Sequence, residues 1–370
     1  MQVVLFGNHI AQPNVAFLTG LAYSSAHAFA WGLRQCPVAK TTTDWRWTYS
    51  FAAFKCRGSF GDLEIADRIA PEASMSVAAL ARESGVLTEP LLRALRALAA
   101  FGIFRLDRDG NVAHTTRSLL LRPDAPHSLY YSARFWTATG SWRAWEVLEI
   151  ALRGGVPHEA AWGTDRFSYL RDNPTEGRLF DAFMAHFPDD RHDAIAGSYD
   201  FSDTDVIVDV GGGNGETLRR IIARHPGVKG ILFDRADVVA SVSPDMLAKG
   251  RITAQAGSFF ESLPSEADRY ALVRVLHDWP DEDAQRILQC CRAAMRDGGR
   301  LLVVEALMPL DPSQGRQTEY LIDMQMMAMF GRARERTEAE YTFLLAEAGF
   351  ELMKVIPTAS SVSILEAVPC

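Results

Sequence analysis

Residues Val206 to Gly215 read VIVDVGGGNG, an apolar run broken only by Asp209, then three consecutive glycines and a fourth two positions on. A run of that kind is a strand buried on both faces, as in a parallel sheet covered by helices. Glycines at its carboxyl end let the backbone approach a bound ligand with no Cβ in the way. The chain then repeats the theme. Glu216 to Ala223 is helical, and Ile231-Leu-Phe-Asp is the next strand. Further strand runs are Tyr270 to Leu276, Leu301 to Ala306, Leu352 to Ile356 and Ser361 to Ala367. Between them, Glu282 to Met295 places Ala284, Ile287, Leu288 and Cys291 on one helical face before Gly298-Gly299. Alternating strands and helices predict a doubly wound α/β sheet of Rossmann-like type, closed by an antiparallel strand pair at its edge.

The glycine loop is not a dinucleotide fingerprint, because Glu216 follows Gly215 where G-x-G-x-x-G/A needs another spacing, and no phosphate-binding G-x-x-x-x-G-K-[ST] is present. Asp234, ending the next strand, is placed to accept two ribose hydroxyls. Together these features favour an adenosyl ligand without a pyrophosphate. In VLHDWPDE, His277 follows a strand and so lies at the carboxyl edge of the sheet. A neutral imidazole, with a reference pKa near 6.5, suits proton removal at neutral pH.

The first half reads helical. Ser76 is expected to cap a helix over Val77–Glu83 that ends at Gly85, and Thr88 to cap a second one with Pro90 in its first turn. Ile103–Leu106, Asp109-Gly110 and Asn111–His114 then form a hairpin, which completes a winged-helix unit. Pro71 to Arg117 holds six Arg against five acids and no Lys, with none of the basic stripe a DNA reader shows. Pro126 to Phe187 is rich in aromatics, most of them expected as helix-packing core. The polar stretch Pro188 to Asp205 is the expected domain boundary. The domains are therefore placed at 1–45 (an extension), 46–190 (helical, winged-helix) and 191–370 (the sheet).

With 370 residues, 48% hydrophobic and 23% charged, the chain reads as a soluble globular protein of two or three domains. A formal charge of −8 argues against nucleic acid as a partner. Five cysteines without CxxC or nearby histidines argue against a disulfide framework or a zinc site, so a cytoplasmic location without structural metal is expected. Met1 to Leu33 carries no charged residue, but Asn8, His9, Gln12, Pro13 and Asn14 interrupt any signal core or membrane span.

Taken together, VDVGGGNG, FDRADVV, GSFFESLP, VLHDWPDEDAQRIL, LLVVEALMP and GRARERTEAEYTFLLAEAGF occur here in a telling order. In that order they resemble the plant-type (class II) small-molecule O-methyltransferases and their bacterial relatives, which use S-adenosylmethionine. The resemblance spans roughly Trp47 to Pro369 and implies a homodimer built through the helical half. It implies that Asp209, Gly211 and Gly213 hold the methionyl part of the cofactor, and Asp234 its ribose. Trp279, Phe259 and Ser258 would lie near the adenine. His277 would be the general base, with Glu305 and Glu335 orienting it, and Met184, Met327 and Phe330 would line the acceptor pocket.

Two positions depart from the family pattern. Ser258 stands where an Asp is usual, and Val273 where plant members carry a Lys, with Arg274 beside it either taking over that cofactor contact or pointing elsewhere. The reaction implied is methyl transfer to a hydroxyl of a small aromatic or polyketide-like metabolite. Transfer to carbon or nitrogen, a winged-helix metabolite-sensing regulator and a NAD dehydrogenase are the competing readings.

Overall fold

The computed structural model describes residues 50–370 apart from 188 and 189, so the extension expected over 1–45 lies outside the described residues. Phe54–Cys370 forms one compact unit. In it, β1 (Ser74–Ser76) precedes helices Val77–Ser84 and Thr88–Ala100, followed by β2 (Phe104–Leu106) and β3 (Asn111–His114). The three strands form a small antiparallel sheet in the order β1-β3-β2, so the expected helix–helix–hairpin order is present with an additional strand. Ser76 caps its helix by accepting from the Ala79 amide at 3.2 Å, and Gly85 ends it at φ 68°. Thr88, expected as a cap, is instead the first helical residue; Leu87 precedes it and makes no capping bond.

The aromatic stretch folds into short helices, among them Tyr130–Thr137, Arg166–Asp172 and Pro174–Ala185. They bury Phe135, Tyr169 and Phe183, with Trp136, Trp162, Phe180 and Phe187 packed around them. Three of these seven rings are buried and four are partly buried against them, so fewer are core than the sequence suggests. The stretch expected as a domain boundary holds helix Arg191–Ser198, whose Ile195 and Ala196 join the same apolar cluster as Ile221 of helix Glu216–Arg224.

The large sheet is built from β4 (Val206–Val210), β5 (Lys229–Asp234), β6 (Ile252–Ala256), β7 (Arg269–Val273), β8 (Arg300–Glu305), β9 (Phe350–Pro357) and β10 (Ser363–Pro369). Its order is β6-β5-β4-β7-β8-β10-β9. The first five strands are mutually parallel. β10 runs antiparallel to both β8 and β9 and is inserted between them, so the closing pair is a hairpin threaded into the sheet. Successive residues of β4 face opposite sides, as a pleated strand requires. Ile207 joins the cluster beneath helix Glu216–Arg224, while Val208 and Val210 join the one beneath helices Asp281–Ala294 and Glu338–Glu347. Both faces are therefore covered.

Two strand readings need correction. β6 is absent from the sequence-based expectation, because of its five residues only Ile252 is buried and the run lacks a strong apolar pattern. The strand read through Leu276 ends at Val273, and Leu276–Asp278 is a single 3-10 turn. None of the helices among the described residues is long and apolar enough to cross a membrane.

Candidate functional site

The strand ends converge on one edge. A Cβ added at Gly212 would come within 2.4 Å of Leu232 Cδ1 and 2.7 Å of the Asp209 carboxyl, so any side chain there displaces those two groups. Gly213, at φ 58°, has nothing within 4 Å of that position, and the loop opens at this point. Directly beneath lies Asp209, 2% exposed, with neither carboxyl oxygen hydrogen-bonded among the described residues. Burial, reinforced by Asp234, lifts its pKa to about 7. A buried acid without partners is costly. It is matched by a ligand bringing an ammonium or hydrogen-bond donors.

Asp234 is oriented by backbone. Its Oδ2 accepts from the Gly213 amide at 2.8 Å and its Oδ1 from the Arg235 amide at 2.7 Å. Each oxygen keeps a lone pair for a diol. Burial raises its pKa against those two bonds. Beyond it, Trp279 meets Phe259 and Phe260 edge-on at 5.8 and 4.8 Å and stacks with Phe167 at 6.2 Å, forming an apolar wall. Phe259 also lies 3.5 Å from the Cβ position of Gly211, so the wall joins the glycine loop. The Ser258 hydroxyl accepts from the Phe260 amide at 3.3 Å, which leaves its own proton for a ligand.

His277 is 6% exposed, and its Nδ1 lies 3.1 Å from Glu335 Oε1. Its Nε2 lies 3.4 Å from Asp278 Oδ1. Burial and Arg274 pull its pKa down, but Asp278, Glu335 and Glu305 push harder, and the imidazole sits above its usual value. Burial lifts Asp278 to about 6, against His277 and Arg274. For Glu335 burial pushes up, yet Arg274 and His277 outweigh it and hold the carboxyl well below the usual range.

Two expected roles change. Glu305 does not reach the imidazole: its Oε1 accepts from the backbone amides of Leu276 and His277 at 2.9 and 3.3 Å, so it fixes the turn that carries the histidine. Arg274, expected to contact the cofactor, is turned onto the acids. Its Nη1 lies 2.9 Å from Glu305 Oε2 and 2.8 Å from Glu335 Oε2, and its Nη2 lies 3.0 Å from His277 Nδ1. The physical reason is its backbone, at φ 56° immediately after β7. His277, Glu305 and Glu335 bring donor atoms within 4.8 Å of one another, a spacing that could suit a cation, and the cation standing among them is this guanidinium.

One structural residue carries no clear mark in the sequence. Arg336, 1% exposed, donates to the carbonyls of Leu276 and Trp279 at 2.8 Å each and to Asp281 at 2.7 Å. It ties the Glu335 segment to the His277 turn. The only sequence signal for it is the charge-dense RERT run.

Among the acceptor candidates, Phe330 packs on Phe167 at 5.4 Å and so touches the same wall as Trp279. Met327 is on the same helix, Gln317–Phe330, and Met184 packs into the aromatic cluster of the helical half.

In a sheet of this order ligands sit at the carboxyl edge. Here that edge offers an acid for an ammonium, an acid for a diol, a wall for a flat base and a histidine beside them, which is the class of the S-adenosylmethionine-dependent methyltransferases. Residues 145–351 match the family model described as O-methyltransferase domain. A phenazine O-methyltransferase from Lysobacter antibioticus is 35% identical over 313 residues, 83% of this chain and 90% of that protein. The solved structure of a mitomycin 7-O-methyltransferase has a TM-score of 0.83 at 30% identity, covering 90% of this chain and 98% of that one. An O-methyltransferase from neocarzinostatin biosynthesis, solved with S-adenosylmethionine and 2-hydroxy-5-methyl naphthoic acid, has a TM-score of 0.74 at 30% identity and covers 86% and 96% of the two chains. The chain belongs to the plant-type O-methyltransferase family. It is an S-adenosylmethionine-dependent enzyme.

Proposed function

We propose that the enzyme methylates a hydroxyl of a small aromatic or polyketide-like metabolite, with His277 as general base. The observation that carries this reading is the Glu335–His277 pair at the ligand edge of the sheet, with Nδ1 held 3.1 Å from a buried carboxylate. The acceptors named for the relatives, a phenazine and a naphthoic acid, are flat and aromatic.

Asp209 would hold the cofactor's ammonium, Gly211 and Gly213 its methionyl backbone, and Asp234 its ribose diol. Ser258, Phe259 and Trp279 would hold the adenine. The bound cofactor supplies a methyl group on a positively charged sulfur, a leaving group that departs neutral. Met327 and Phe330, with Met184 from the helical half, would wall the acceptor. Most of the rate would come from holding the acceptor oxygen in line. With Nδ1–H given to Glu335, Nε2, which has Asp278 Oδ1 at 3.4 Å, is the nitrogen left to take the hydroxyl proton, and Glu335 and Asp278 stabilise the imidazolium that results, as the carboxylate of a triad does. Residues 46–190 would serve dimerisation and 191–370 catalysis, without a nucleic-acid role and in the cytoplasm.

His277→Ala tests the base. Affinity for S-adenosylhomocysteine should stay within a few-fold, since the glycine loop and Asp234 lie on other strand ends. Turnover should fall by about 10²–10⁴-fold for a weakly acidic phenol and by less for phenols acidic enough to ionise unaided. An equal, small loss across phenols of graded acidity defeats the assignment.

A further inference from the structure

We infer that Arg274 is a positioning residue that sets the proton affinity of His277 by charge balance. The inference rests on the reading of His277 as base and deepens it. Glu305 and Glu335 are buried side by side, 0% and 5% exposed, and two buried carboxyls in contact cannot both ionise without a countercharge. Arg274 supplies it, bridging both through Nη1 and meeting Glu335 a second time through Nη2 at 2.5 Å. Its side chain is buried with theirs, at 7% exposure against 0% and 2%. With both carboxyls ionised, these three groups carry one net negative charge. Addition of one proton to His277 cancels the charge of these three groups, with Asp278 a further acid beside Nε2. The arrangement therefore matches the imidazolium that proton removal from an acceptor creates.

The backbone supports the same reading. Arg274 is not glycine, yet it adopts φ 56°, a left-handed conformation that an ordinary residue takes only when its surroundings hold it there. Its amide is anchored on the Val304 carbonyl at 2.9 Å. That turn carries the side chain from the end of β7 onto the acids rather than toward the glycine loop. The groups facing His277 are Arg274 and Asp278 from its own segment, Glu305 from the end of β8 and Glu335 from the loop before helix Glu338–Glu347. Tyr341 of that helix and Arg336 stand behind the acids.

Removal of the guanidinium charge leaves three carboxyls, of Asp278, Glu305 and Glu335, facing one imidazole, and His277 should bind its proton too tightly to act as a base near neutrality. Loss of one carboxyl should do the opposite. The test is NMR titration of protein labelled with ¹³Cε1-histidine, with the His277 signal assigned by its loss in His277→Gln. Arg274→Gln should raise the His277 midpoint by about one pH unit or more, tenfold in proton affinity, and Glu305→Gln should lower it. Arg274→Lys, which keeps the charge, should stay within about half a unit of wild type. Calorimetry with S-adenosylhomocysteine should give a Kd within about threefold of wild type for all three variants.

A midpoint that does not move in Arg274→Gln overturns the inference, as does a tenfold loss of S-adenosylhomocysteine affinity, which would make Arg274 a cofactor contact. Should Arg274→Gln fail to fold, Glu305→Gln decides alone: a midpoint that falls supports charge balance, and one that stays or rises overturns it. Failure of the base assignment reads differently, as turnover retained in His277→Gln while the midpoint shifts persist.

Discussion

Replacement of Asp209 by asparagine separates two demands on one carboxyl. In the ligand-free protein the group is buried without a partner, and burial with Asp234 lifts its pKa from 3.8 to about 7. Unfolding returns it to the ordinary value. Because the folded pKa lies above the unfolded one, its contribution to stability is fully present below about pH 4 and is lost as pH rises through about 7. At about 1.4 kcal/mol per pH unit, that gap corresponds to about 4 kcal/mol, an upper bound for a single group. Asparagine keeps the shape and cannot ionise. Asp209→Asn should therefore resemble wild type in stability near pH 4.5 and exceed it by up to about 4 kcal/mol at pH 8, ligand-free. For the cofactor the sign reverses, because the ionised carboxylate is the partner of an ammonium. The variant should lose about 10–100-fold in affinity for S-adenosylhomocysteine, the range of a hydrogen bond to a charged group. Wild-type affinity should itself improve as pH rises from 5.5 to 7.5. Urea unfolding at pH 4.5, 6 and 8, with calorimetry on the same samples, reads both effects. A stability difference that is flat across pH, or an unchanged Kd, refutes the reasoning.

Packing at the glycine loop and exposure in the helical half set two further outcomes. Gly212→Ala drives a methyl group against Leu232 and the Asp209 carboxyl, and it should cost about 1–3 kcal/mol in urea unfolding and weaken S-adenosylhomocysteine binding; wild-type values for both would contradict the packing described. The helical half leaves Leu63, Leu87 and Leu152 exposed at 40%, 75% and 76%, which motivates a homodimer formed there; light scattering at micromolar concentration should report twice the chain mass, and a monomer would sink the idea.

What the sequence discloses and what it hides divide along physical lines. The glycine loop, Asp209 and His277 are legible because a strand end is local: where an apolar run stops, the next residues must lie at the sheet edge. β6 is not legible, because an edge strand with only Ile252 buried leaves no apolar stripe. The end of β7 is misread for the opposite reason, since Val275 and Leu276 are buried in a turn and look like more strand. Glu305 and Glu335 can be found by resemblance, but their division of labour cannot: one grips backbone amides and the other the ring. Arg274 is the clearest case. Its partners depend on a single backbone angle, and no pattern of neighbouring residue types encodes that angle.

The row of rings formed by Phe330, Phe167 and Trp279 has a consequence for the order of events in a catalytic cycle. Phe167 comes from the helical half, Trp279 from the turn after His277, and Phe330 from the end of helix Gln317–Phe330. On the proposed reading, the adenine would rest on one end of this row and the acceptor on the other. A ligand at either end restricts the rotamers of the shared middle ring, so part of the ordering cost of the second ligand is already met. Affinities at the two ends are then linked by one coupling free energy, equal in both directions. The acceptor would bind more tightly to the loaded enzyme than to the free one, and after transfer the spent cofactor and the methylated product would each hold the other until one of them has left.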